Sequence, residues 1–246
     1  GRQVRDLLVE VKGALFRLDL LVFGVCNGLS ALQRHDLAKE MAELVARRHV
    51  VDAVAQIDRW QAEGLAGFRL FTTGSTMPGQ ADWLGHESSY PAWAHAEALG
   101  IPVCLQMTMQ GVPALRTLLE RFPKARVLLD HCARPDLSDG VPYAAAQALF
   151  DLAAFPGVHL KLTNRTLAAA ATGRSTPAAF LEKVVDVYGA GRIAWGSNFP
   201  AAEGALSALL ATARDVLHAL PESDQARIFG GTAAQLYPAL SAEAAA

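Results

Sequence analysis

Residues 156–164 read PGVHLKLTN, a Pro-Gly turn followed by a run in which apolar and polar residues alternate. Successive side chains of a strand face opposite ways, so His159, Lys161 and Thr163 share one face while Leu160 and Leu162 share the other. The leucines suit a covering layer of helices. Lys161 then points inward, where an ammonium needs a compensating carboxylate or an anionic ligand. Asp130 as an internal partner and a bound substrate are the two readings of that lysine.

The same rhythm extends to both sides of this strand. Ala66–Phe71 reads as a strand, followed by a Gly-, Ser- and Thr-containing loop through Gly85 and a helix over Tyr90–Leu99. Gly100 ends that helix and Pro102 opens the strand Pro102–Gln106. Pro113–Arg121 follows as a helix, Ala125–Leu129 as a strand and Tyr143–Ala154 as a helix. Beyond residue 164, Thr176 caps a helix reaching Tyr188, with Pro177 in its first turn. The apolar strand of RIAWGSNFP, residues 192–200, comes next, then helical spacing over Leu206–Leu220 and Asp224–Phe229. Toward the N-terminus, Leu18–Phe23 is a strand candidate, His35–Arg48 an amphipathic helix and Val51–Glu63 a further helix. Alternating strands and helices specify an α/β protein with a parallel sheet. The reading is a parallel α/β barrel of the TIM (β/α)8 type in a single domain over residues 1–246. It has six good strand candidates where a closed barrel has eight, so either the N-terminal region supplies the rest in atypical form or the barrel is incomplete.

Composition narrows the function classes. The chain has 246 residues, 52% of them hydrophobic, enough for one large core. Its 22 basic and 24 acidic residues give a formal net charge of -2, so no global field draws it to nucleic acid or a membrane surface. Anion selectivity must be local, and a small anionic metabolite is the expected partner. Apolar runs are too short or interrupted to span a bilayer. Cys26, Cys104 and Cys132 lie scattered in apolar context, which suits reduced thiols, and no cleavable leader is visible at the start. A cytoplasmic location is expected.

In a parallel barrel the C-terminal strand ends converge, so polar residues there are candidates for one site. Arg69, Gln106, His131, Lys161 and Asn198 all fall at such ends. His131, with Asp130 beside it, is the expected acid or base. Asn198 can orient a water or donate to an oxyanion, or it can merely cap its turn. The planar fork of Arg69 suits a substrate carboxylate, or a bridge between strands. Gln106 serves either the ligand or the backbone. Arg134 can reach the same mouth from its loop, and Trp83 and His86 are candidates for a lid over it.

Several dense motifs are missing. There is no His-x-His, His-Glu-x-x-His or Cys-x-x-Cys, so no local metal signature exists, and neither a phosphate-cradling loop nor a Gly-x-Ser-x-Gly elbow is present. No cofactor is implied.

Five fragments in order, GLAGFRLF, LLDHCARPDL, HLKLTN, RIAWGSNFP and IFGGTAAQLYPAL, resemble the amidohydrolase superfamily, specifically amidohydrolase family 2 with its dicarboxylate lactonases and decarboxylases. The resemblance covers roughly residues 51–240 and implies a site at the C-terminal mouth of a distorted barrel. It matches His131 to the family's Asp-His histidine and Asn198 to the position usually held by a catalytic Asp. This chain departs from the pattern in lacking His-x-His, in offering Gln106 and Thr108 on the central strand, and in that terminal amide. The expected activity is hydrolysis of a small carboxylate-bearing lactone or related cyclic ester without a tightly bound metal. A decarboxylase and a catalytically degraded metabolite-binding barrel are the alternatives. Protein purified without chelator should carry far less than one zinc per chain by elemental analysis; stoichiometric zinc on His131 would refute that expectation.

Overall fold

The computed structural model describes residues 18–19, 53–73, 80, 83–199 and 201–240. In chain order these form β1 (Leu18–Asp19), α1 (Ala53–Ala62), β2 (Phe68–Phe71), α2 (Tyr90–Leu99), β3 (Val103–Gln106), α3 (Val112–Arg121), β4 (Val127–Asp130), α4 (Gln147–Asp151), β5 (Val158–Thr163), α5 (Asn164–Ala170), α6 (Pro177–Tyr188), β6 (Ile193–Gly196), α7 (Leu206–Leu217), α8 (Glu222–Ala226) and α9 (Thr232–Leu236). Strands β2 to β6 pair in sequential order and all parallel, which is a run of barrel-type βα units.

Register explains the two faces of the sheet. Leu70, Leu105, Leu129, Leu160 and Ile193 lie level across the five parallel strands and pack beneath the helices in the main core. Amphipathic spacing supplies the other half of that core: α3 buries Val112, Leu115, Leu118 and Leu119 on one face. A smaller cluster of Cys104, Leu128 and Ala194 lies on the sheet's opposite face, with Leu236 of α9 buried against it. Arg126 ties the base of β4 to this C-terminal element by donating to the Gln235 carbonyl at 2.7 Å. All six residues of β5 are buried, as a strand covered on both faces requires.

Some expectations are corrected. Of the strand expected over Leu18–Phe23, Leu18–Asp19 is a strand, antiparallel to β2 with Asp19 opposite Arg69 and so not a further parallel strand, while residues 20–23 lie outside the described residues. The helix expected over Tyr143–Ala154 is three short pieces, with 3-10 turns at Ala144–Ala146 and Leu152–Ala154 flanking α4. Tyr143 begins it in the left-handed region at φ 66°, and its ring is wholly buried against Phe150 and Phe180, so packing overrides the helical propensity of the alanines. The expected Asp224–Phe229 helix becomes α8 followed by a π-turn at Arg227–Gly231. The helix expected over His35–Arg48 lies outside the described residues.

Gly157 shows how closely β4 and β5 approach at their N-terminal ends. Its carbonyl accepts from Val127 N at 2.9 Å, and a Cβ added to it would lie 2.1 Å from the Ala125 carbonyl oxygen. Backbone must move to admit any side chain. Gly157→Ala should therefore lower stability by about 3 kcal/mol in denaturant titration, at the upper end of overpacking costs; an unchanged midpoint would contradict this packing.

Candidate active site

At the C-terminal ends of β2 to β5 the side chains converge on Asp130. Its carboxylate is fully buried, paired with Arg69 through one oxygen and with Lys161 Nζ at 3.0 Å through the other. Register makes the second contact direct, because Asp130 and Lys161 face each other on adjacent strands. Burial works against the charged carboxylate, but Lys161 and then Arg69 overcome it and hold its pKa below the usual range. Gly196 on β6 gives the lysine stem its passage: a Cβ there would stand 2.7 Å from Lys161 Cε.

Arg69 also donates to Gln106 Oε1 at 2.6 Å and stacks over Phe71, with Cζ 4.3 Å from the ring centroid. Gln106 Nε2 donates in turn to the Thr73 carbonyl at 3.0 Å. Both ends of this amide are thus engaged by the protein, and Arg69 Nη2 is shared between Asp130 and Gln106. These two residues, expected as substrate contacts, brace β2, β3 and β4 to one another. Lys161 makes the internal ion pair with Asp130.

His131 follows Asp130 immediately. It begins a run of four non-glycine residues with positive φ, His131 at 52°, Cys132 at 52°, Ala133 at 59° and Arg134 at 53°. Left-handed runs of L-residues are strained, and such strain gathers where surrounding structure enforces a geometry. Here Cys132 Sγ donates to the Lys161 carbonyl at 3.7 Å and His131 Nδ1 lies 2.8 Å from Thr163 Oγ1, so the turn is held on β5. The ring is 5% exposed. Burial lowers its pKa to about 4 against the pull of Asp130, with Lys161, Arg134 and Arg165 pressing in the same direction as burial. The imidazole is therefore neutral near pH 7.

Arg134 closes the turn, half-buried, and burial followed by the charge of Arg165 lowers its pKa. Asn198 lies two residues beyond Gly196, which pairs in register with Thr163, so it occupies the same rim. It too is left-handed, at φ 55°, a conformation asparagine tolerates well. Its carbonyl accepts from Ala202 N at 2.7 Å and Ser197 Oγ accepts from Phe199 N at 3.2 Å, so backbone and serine make the turn. The side-chain amide has no hydrogen bond to any described residue.

The contacts of the lid candidates are of other kinds. Trp83 packs partly buried against the helix-side core. His86 caps the short turn Glu87–Ser89 by accepting from Ser88 N at 3.2 Å, and lines an outer groove with Tyr90, Pro91, Arg121 and Phe122. None of those lining residues belongs to a strand. Sequence reasoning gave no site role to Asp130 itself, nor to Thr163 and Arg165; Thr163 was signalled by sharing the inward face of β5 with Lys161.

A profile of the amidohydrolase family matches residues 13–239. The chain belongs to the amidohydrolase family. Among relatives, L-fucono-1,5-lactonase from Burkholderia ambifaria is 31% identical over 163 residues, covering 63% of this chain and 56% of its own length. This amidohydrolase thus spans little more than half of that relative. A solved amidohydrolase from Burkholderia multivorans with bound zinc superposes with a TM-score of 0.63 at 20% identity, over 82% of this chain and 79% of that one. A Pseudomonas putida protein put forward as a 2-pyrone-4,6-dicarboxylic acid hydrolase gives 0.60 at 21% identity, over 75% and 67%. The fold is accordingly that of the TIM-barrel amidohydrolases.

The donors among the described residues do not assemble a metal centre. Among the described residues no three His, Cys, Asp or Glu gather in a way that could hold an ion. Asp130 is committed to two cations, and Cys104, beside it, is a buried thiol whose pKa is pushed up by burial and by that carboxylate. Replacing Asp130 by asparagine should remove the charge that compensates Arg69 and Lys161 in the interior. Such a change is expected to cost about 3–5 kcal/mol by urea denaturation; a loss below 1 kcal/mol would show the pair to be inessential.

Proposed function

We propose that this amidohydrolase hydrolyses a small carboxylate-bearing lactone or related cyclic ester, with His131 as the base and without a tightly bound metal. One observation carries the reading: a neutral imidazole, held through Nδ1 by Thr163, stands at a rim bearing Arg69, Lys161, Arg134 and Arg165. Kinship with a lactonase supports the reaction type. With Nδ1–H donating to Thr163, Nε2 carries the lone pair. It takes a proton from water as the water oxygen bonds to the lactone carbonyl carbon. Asn198 donates to the oxyanion that develops, a task suited to an amide and closed to a carboxylate. The ring C–O bond then breaks, and the proton on His131 passes to the departing oxygen, leaving a hydroxy acid.

The mouth favours an anion because Arg134 and Arg165 add their charge to the Arg69–Asp130–Lys161 group without an acidic partner among the described residues. Two described cysteines, Cys104 and Cys132, are free and buried, which supports placing the enzyme in the cytoplasm. Among the described residues no helix is long and apolar enough to cross a membrane.

The test is acid release from L-fucono-1,5-lactone and 2-pyrone-4,6-dicarboxylate, with carbon dioxide followed in parallel. The reading expects acid without carbon dioxide, a loss of about 100-fold or more in His131→Asn, and kcat/KM that falls on acidification with a midpoint near the His131 pKa of about 4. Carbon dioxide release would favour a decarboxylase. Binding without turnover would favour a metabolite-binding barrel.

A further inference from the structure

The cations at the mouth divide into two groups. Arg69 and Lys161 share the buried Asp130 carboxylate. Arg134 and Arg165 flank His131 from its other neighbours in the chain fold. Arg134 ends the left-handed turn at φ 53° and ψ 60°. Arg165 stands in the first turn of α5, two residues after the Thr163 that holds the imidazole. The turn also packs against α5, so the two segments that carry these arginines lie together.

Neither arginine has an acidic partner among the described residues. The Nε of Arg134 is buried with no hydrogen bond, while Arg165 is exposed at the rim. Their charges press on each other and on His131. Two uncompensated guanidinium groups, one of them half-buried, carry a repulsion that a bound anion relieves, and their planar forks suit an oxyanion with two acceptor atoms. Arg69 also has a buried Nε without a hydrogen bond, but it differs in having a carboxylate partner, since its Nη2 meets both Asp130 and Gln106.

We propose that Arg165 and Arg134 form the anion clamp of this site, taking a carboxylate or phosphate group of the ligand beside His131, while Arg69 and Lys161 stay with Asp130. The clamp then sets specificity: it selects, among rings that fit the mouth, those bearing an acid group. For substrate choice this rests on the lactone reading; for anion binding it does not.

Calorimetric titration with malonate and with inorganic phosphate separates the two. The wild type should bind at least one of them, Arg165→Ala and Arg134→Ala should weaken that binding tenfold or more, and Arg165→Lys should retain part of it. Arg116→Gln, which changes an exposed residue paired with Glu120 on α3, should bind as the wild type does. Tighter malonate supports a carboxylate ligand and tighter phosphate a phosphorylated one, both through the clamp. A wild type that binds neither anion, or an Arg165→Ala protein that binds both as tightly as the wild type, overturns the proposal. With a 1,5-aldonolactone and the same ring carrying a terminal carboxylate, Arg165→Ala should lose at least tenfold of the preference for the acid form. If no lactone is turned over while malonate binding still depends on Arg165, the lactone reading falls and the clamp stands.

Discussion

A carboxylate without solvent exposure, set between a guanidinium and an ammonium, organises the upper rim of this barrel. Removing three charges from water is costly, and only close mutual pairing with further hydrogen bonds offsets it. Asp130 meets that condition through β4, Arg69 through β2 and Lys161 through β5, while Gln106 on β3 holds the guanidinium from the remaining side. Four neighbouring strand ends are thereby tied at one level. The bare Cα of Gly196 on β6 leaves space for the lysine stem, so the fifth parallel strand contributes by what it lacks.

The same arrangement governs the chemistry next to it. An imidazole beside an unpaired aspartate would tend to hold a proton, whereas Asp130 is already balanced by two cations and two further arginines act on His131. Burial therefore dominates, and the ring stays neutral. Thr163 fixes one ring nitrogen, and the left-handed turn fixes the backbone that carries it. Charge balance in the interior and protonation at the rim are in this way parts of one electrostatic problem.

The alternation of residues 158–163 made the central strand legible, because period-two patterning follows from backbone geometry alone. The convergence of Arg69, Gln106, His131 and Lys161 was legible for the same reason: strand ends in a parallel sheet must meet. Which of these groups serve the protein and which face a ligand was not legible. That depends on side-chain reach across strands, as when Arg69 passes over β3 to meet Asp130. Trp83 packs on the helix-side core and His86 caps a short turn, contacts that depend on how the loop folds and that its length does not report. Arg165 lies in α5, a helix that the sequence reading did not mark between the β5 strand and the helix capped by Thr176. The antiparallel pairing of β1 and the fragmented 144–154 segment reflect tertiary packing that local propensity cannot report.

Consider finally the four left-handed residues from His131 to Arg134. In an isolated chain each would cost about 1–2 kcal/mol, so this segment has no tendency to take its shape before β5 and α5 are in place. Its order is borrowed from its neighbours. In native-state hydrogen exchange the amides of this turn should belong to an opening unit of lower free energy than the β3–β4–β5 ladder, since local openings follow the balance of strain and contacts. The arrangement around His131 can thus dissolve and reform while the sheet beneath it stays intact, and loss of activity on mild heating or in dilute denaturant would precede loss of the fold.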